Sequence, residues 1–190
     1  MYDLPLRHAP GAEAKWEELF ALELVFNGGT GARPSLDGLS ATAFPSGVWG
    51  SQVETTEAVA PVLFHRRELR VDSGGAGRHR GGLGQRIEIG PAGKQGFALF
   101  LSVERMKNPA QGRHGGAPGA PGRIRLDPSG TDLPGKGVFT VEAGEVLVFE
   151  TPGGGGYGPA QERAQDALLH DIDMGLVSPE AAARLYRKPL

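Results

Sequence analysis

Short apolar runs broken by glycine, proline and acidic residues fill the middle of the chain. Segments 62–71, 86–89, 97–103, 123–126, 138–141 and 145–150 are β-branched or aromatic and bounded by turn residues, which predicts six short strands. Arg86-Ile-Glu-Ile alternates polar with apolar and predicts a strand with one wet face, whereas Phe97-Ala-Leu-Phe-Leu-Ser-Val is apolar on both faces and predicts a central strand. Ahead of them, residues 12–26 combine helix formers with an apolar run that suits either a short helix or a strand. Asn27-Gly-Gly-Thr-Gly then opens an extended loop to about residue 51, and residues 108–122 form a second long loop.

The pattern changes after Gly153-Gly-Gly-Gly-Tyr157-Gly-Pro159. Ala164, Leu168 and Ile172 mark one apolar face, Pro159 suits a first turn and Gly175 a cap, predicting a helix over about 160–174. Ser178-Pro-Glu predicts an N-cap and a second short helix to about Tyr186. The fold class expected is therefore α+β, mainly β: an antiparallel sandwich or barrel-like sheet with Gly-rich loops, followed by a C-terminal helical hairpin. Three parts are expected: a divergent segment 1–23, a mainly β domain 24–152, and a Gly-rich linker with the hairpin over 153–190.

Composition narrows the function classes. The 190 residues include 31 glycines and 15 prolines, just below the share at which aperiodic chains read as disordered. Twenty basic and 22 acidic residues leave a net charge of −2 with no basic block, so no nucleic-acid partner is expected. The absence of cysteine excludes disulfides, cysteine-ligated zinc, iron–sulfur clusters and a thiol nucleophile. No apolar run is long enough to span a bilayer and the start is unlike a signal peptide, so a soluble cytoplasmic chain without a membrane partner is expected.

Several ordered blocks carry a resemblance. Phe26-Asn-Gly-Gly-Thr-Gly-Ala-Arg-Pro34, Asp37-Gly-Leu-Ser-Ala-Thr-Ala-Phe-Pro-Ser-Gly-Val48, Glu68-Leu-Arg-Val-Asp-Ser-Gly-Gly-Ala-Gly-Arg78 with His79-Arg-Gly-Gly-Leu-Gly84, and Thr151-Pro-Gly-Gly-Gly-Gly-Tyr-Gly158 together resemble the C-terminal third of hydantoinase B/oxoprolinase family subunits. The resemblance implies a role in ATP-dependent opening of a cyclic amide of the 5-oxoproline or hydantoin type, with carboxylation in a cousin branch. It implies a hydantoinase A-type partner that binds ATP and phosphorylates the substrate carbonyl, and an N-terminal part of the B-type subunit that this chain lacks. ATP and a divalent metal are thus expected in the complete enzyme and none on this chain alone, which should be inactive by itself. A non-catalytic structural or assembly domain is the alternative.

Such chemistry needs cations or backbone N–H groups for phosphate and oxyanion, and a base for water. Gly74, Gly75 and Gly77 with Arg78 and Arg80 are candidates for an anion nest, or for a glycine-rich β connection with structural arginines. Arg33 and Asp37 could pair structurally, or Arg33 could face substrate. Glu54 and Glu57 could position water, close a subunit contact or stay solvated. Gly153 to Gly156 precede a helix but lack the lysine and Ser/Thr of a nucleotide loop, leaving a linker, close backbone packing or a ligand cradle open. The five histidines show no metal-binding spacing, so no metal site is expected, and no nucleophile elbow is present. Sheet edges left uncovered predict self-association or a partner.

Overall fold

The computed structural model describes residues 6–8, 20–43 and 50–187. Residues 12–19 of the expected first element, and 44–49 within the family-like second block, lie outside them. All six expected strands form, with two further short ones. In chain order the elements are β1 (Leu6–His8), helix α1 (Val53–Val59), β2 (Val62–Leu69), β3 (Gln85–Pro91), β4 (Phe97–Ser102), β5 (Arg123–Asp127), β6 (Thr131–Asp132), β7 (Lys136–Val141), β8 (Val146–Glu150), α2 (Gln165–Asp173) and α3 (Pro179–Ala181). Residues 20–26 run outside any helix or strand, yet bury Leu24 and Phe26.

The strands form two antiparallel sheets, one ordered β1-β4-β7 and the other β2-β3-β8-β5-β6. Alternation puts Ile87 and Ile89 of β3, Leu147 and Phe149 of β8, and Ile124 of β5 on one side of the larger sheet. They share a single core with Phe97, Leu99 and Leu101 of β4 and with Phe26 from the preceding loop. Each such fully buried side chain contributes about 1.5–3 kcal/mol of transfer free energy. The other side of β3 is the expected wet face: Arg86 pairs with Glu88 at 2.8 Å and with Glu150 at 3.3 Å. Strand β4 is central in its sheet, as its sequence predicts.

Beside this core lies a second construction made of backbone. The run Gly153 to Gly156 is buried and threads between other extended segments. Gly153 N–H donates to the Ala120 carbonyl (3.0 Å), Gly154 N–H to Gly82 (2.9 Å) and Gly156 N–H to Ala117 (2.9 Å), while the carbonyls of Gly154 and Gly155 accept from Gly75 and Ala32 (both 2.8 Å). A Cβ on Gly153 would collide with the Ser73 carbonyl, on Gly154 with Thr30, on Gly155 with Gln111, and on Gly156 again with the 73–76 segment at Ala76. Every third residue thus faces the same neighbour, the repeat of a three-residue extended helix. Gly116 and Gly119 repeat it from outside, facing Gly156 and Gly153.

The C-terminal hairpin forms with a break. Residues 160–162 make a single 3-10 turn, Arg163 and Ala164 are extended, and α2 starts at Gln165, so the continuous helix expected from about 160 is not made. Gly175 turns the chain at φ +65°, and the Ser178 hydroxyl accepts from Ala181 N–H at 3.1 Å as the expected N-cap of α3, which continues as a wider π-type turn to Tyr186. Leu168, Val177, Ala181, Ala182 and Tyr186 pack with Ala76, fastening the hairpin to the glycine-rich segments.

Candidate functional site

The break at Arg163 has a cause that also builds the site. With ψ at 132°, Arg163 turns its guanidinium inward, where Nη1 and Nη2 donate to Asp37 Oδ1 (2.9 Å) and Oδ2 (2.7 Å). Nη2 lies 2.6 Å from Asp171 Oδ2 as well. Arg80 Nε approaches the same Asp171 oxygen at 3.3 Å, and its Nη1 donates to the Gly81 carbonyl at 2.8 Å. Two arginines and two aspartates from the 27–41 loop, the 72–84 segment and the C-terminal hairpin thus neutralise one another, the condition under which buried charge is tolerated.

The electrostatics follow from this arrangement. Burial pushes the Asp37 carboxyl up, but hydrogen bonding and charge from Arg163 and the Arg80 backbone N–H outweigh it and hold the group below its ordinary 3.8. Burial works against the Arg163 charge, and the Asp37 hydrogen bond with the Asp171 charge raises its pKa further above the ordinary arginine value. Tyr186, packed behind the cluster, is pushed up to about 12, first by burial.

Asp37 also borders open space. A cleft of about 540 Å³ is lined by Ser35, Asp37, Arg78, His79, Glu162 and Ala167 among others. His79 Nδ1 stands 3.8 Å from Asp37 Oδ1, and the His79 backbone is fixed by reciprocal hydrogen bonds with Tyr157 at 3.0 and 2.9 Å. Arg78 reaches across to Glu162 at 3.4 Å, both side chains about half exposed. A histidine beside a carboxylate in a cleft wall is the kind of group used for proton transfer. Arg78 places an exchangeable cation beside it, because its carboxylate partner is solvated and weakly held.

The remaining sequence candidates occupy other places. Asp37 pairs with Arg163 and not with Arg33, whose side chain is exposed. Arg80 is spent on Asp171 and Gly81, away from the cleft. Gly74, Gly75 and Gly77 lie against the backbone of Gly81, Ala117 and His79, where any Cβ would clash. Glu54 is exposed on α1, while Glu57 accepts from the Phe64 N–H at 2.7 Å and ties α1 to β2. The N–H groups of Gly153, Gly154 and Gly156 are already paired within the chain and are not free to cradle a phosphate. His79, Arg163 and Asp171 were not among the sequence candidates. Arg163 lies 126 residues from Asp37, and no local spacing joins them.

Among the described residues, no group of three or more His, Asp or Glu could hold a metal ion. Asp37, the aspartate that lines the cleft, is neutralised by Arg163. Among the described residues no helix is long and apolar enough to cross a membrane.

Residues 8–160 match the family described as Hydantoinase B/oxoprolinase. This chain belongs to the hydantoinase B/oxoprolinase family. It is 33% identical over 174 residues to the caprolactamase subunit beta of Pseudomonas jessenii, covering 83% of this chain and 29% of that protein. It is 38% identical over 146 residues to 5-oxoprolinase 1 of Arabidopsis thaliana, covering 75% of this chain and 11% of the relative. The crystal structure of the ATP-dependent caprolactamase from Pseudomonas jessenii superimposes with a TM-score of 0.78 at 27% identity, over 97% of this chain and 33% of that one. This family member therefore spans a third or less of the length of these relatives.

Proposed function

We propose that this chain is one portion of a B-type subunit in an ATP-dependent enzyme that opens a cyclic amide, and that it works only within the assembled enzyme. An unstrained cyclic amide resists water. Phosphorylation of its oxygen turns that oxygen into a leaving group, and the remaining requirements are a base for water and a cation for the anionic intermediate. The observation that carries the reading is His79 held 3.8 Å from Asp37 beside Arg78 at the cleft mouth. In this reading His79 takes a proton from water, the nearby Asp37 carboxylate offsets the imidazolium charge that forms, and Arg78 leaves Glu162 to meet the anion. An A-type subunit supplies ATP binding, and the rest of the B-type subunit supplies a divalent metal if one is used. The setting is cytoplasmic.

The test combines the chain with an A-type subunit and the remainder of a B-type subunit, and follows phosphate release with 5-oxoproline, hydantoin or caprolactam. Turnover is expected in the assembly and not with the chain alone. His79→Ala should lower kcat at least tenfold while leaving the assembly intact. The second reading, a non-catalytic assembly domain, is favoured by the saturation of Asp37 by Arg163 and the pairing of Arg78 with Glu162. An assembly whose turnover is untouched by both His79→Ala and Arg78→Ala would favour it over the first.

A further inference from the structure

The two sheets present unlike outer faces. On the larger one, Arg66 reaches Glu68 and Glu88, Arg86 reaches Glu88 and Glu150, and Arg70 reaches Glu150, a charged lattice suited to water. On the smaller one, the outward residues of β4 and β7 pair as Ala98 with Thr140, Phe100 with Val138, and Ser102 with Lys136. Phe100 is 41% and Val138 72% exposed, at the centre of that face. A β-branched and an aromatic residue paired across strands form a packing unit, and among the described residues both stay open to solvent. An exposed apolar centre framed by polar residues marks an interaction surface.

What covers it is indicated by length and by chain direction. The caprolactamase structure contains about three times the chain seen here, with this portion matching 33% of it. Strand β1, the first described element, pairs with β4 at the edge of this same sheet, so polypeptide joined ahead of it would leave from this sheet and not from the larger one. We propose that the outer face of β4 and β7, centred on Phe100 and Val138, is the surface on which the rest of the B-type subunit packs. The inference rests on the reading that the chain is one portion of such a subunit.

The chain has no cysteine, so an introduced thiol reports its own position. Val138→Cys and, on the charged face, Glu68→Cys are placed in the chain alone and in a chimera where the chain replaces the matching region of the Pseudomonas jessenii caprolactamase subunit beta. Modification by a maleimide is read at each peptide by mass spectrometry. Both positions should react at similar rates in the chain alone, and position 138 should slow at least tenfold in the chimera while 68 does not. Equal rates at 138 in both settings overturn the proposal. So does protection in the chain alone that grows with concentration, which would make a second copy the occupant. An insoluble chimera is replaced by subunit beta shortened by the matched region, with the chain added in trans and the same criterion applied. Caprolactam hydrolysis is read separately. An active chimera with an open position 138 overturns the surface alone, and a protected position 138 in an inactive, folded chimera overturns the proposed function alone.

Discussion

Arg163 Nη2 lies 2.6 Å from Asp171 Oδ2, with each side chain only 3% exposed. The contact joins the residue that interrupts the hairpin to the last turn of the helix that follows, and Arg80 completes it from the glycine-rich segment. Removing one member of such a buried pair strands the other charges. Asp171→Leu is therefore expected to destabilise the chain by about 3–5 kcal/mol. Asp132→Asn, at the exposed Arg123 pair, should leave the urea midpoint unmoved. Equal midpoints for the two variants would show that the cluster contributes nothing to stability.

Asp37 sets an acid limit. Its folded-state pKa lies below the ordinary 3.8, so in acid the unfolded chain binds the extra proton and stability rises with pH there. The contribution is fully present above 3.8 and is lost as pH falls through the lowered value. Asp37→Asn should be less stable than the parent at pH 6, and the difference should shrink below pH 3.8. A difference that stays constant down to pH 2 in urea titrations contradicts this assignment.

Tyr186 sets the alkaline counterpart. With its pKa pushed up to about 12, the phenol stays protonated while an ordinary tyrosine ionises near 10. Its contribution to stability is complete below 10 and lost as pH rises toward 12. Ultraviolet titration of the folded chain should show a tyrosine step near pH 12. Tyr186→Phe should delete that step.

Glycines in the threaded run should tolerate no side chain. A Cβ at Gly154 meets the Thr30 carbonyl, whereas Gly93 has open space around it. Gly154→Ala is expected to abolish cooperative thermal unfolding. Gly93→Ala should leave Tm unchanged or raise stability by about 0.4–1 kcal/mol through the unfolded chain. A sharp transition for Gly154→Ala would refute the close-packed reading of this run.

Much of the fold was legible because strands and caps are local. The six apolar runs, Ser178 as N-cap and Gly175 as the turn all follow from residues within a few positions of one another. Helix α1 was missed because the Val53-Glu-Thr-Thr-Glu-Ala-Val run that forms it carries β-branched residues and an N-cap, Gln52, whose side chain makes no cap bond. The extension of 160–162 into a longer helix failed because Arg163 is drawn to two carboxylates, one 126 residues away. The site was half legible. Asp37 and Arg78 stand out in the sequence, but His79 gains meaning only from the neighbour that the fold brings to it. The glycine repeat left a trace in the spacings Gly28/Gly31, Gly116/Gly119 and Gly153/Gly156, each three apart, whose partners come from distant segments.

The central position of residues 153–156 bears on how the chain comes into being. Segments around residues 30, 75, 82, 112 and 118 all close on it, so although some pair with one another, as Gly82 does with Thr30 and Ala117 with Ala76, none has its full set of partners until residues 153–156 exist. Loop-closure entropy over such separations must be met before the contacts reward it, which makes this region slow to organise. During synthesis the β core can begin to assemble once Glu150 emerges from the ribosome. The glycine-lined half must wait for the run that follows, and until then its extended segments lack the strand around which they close, leaving backbone donors and acceptors open to the wrong partner.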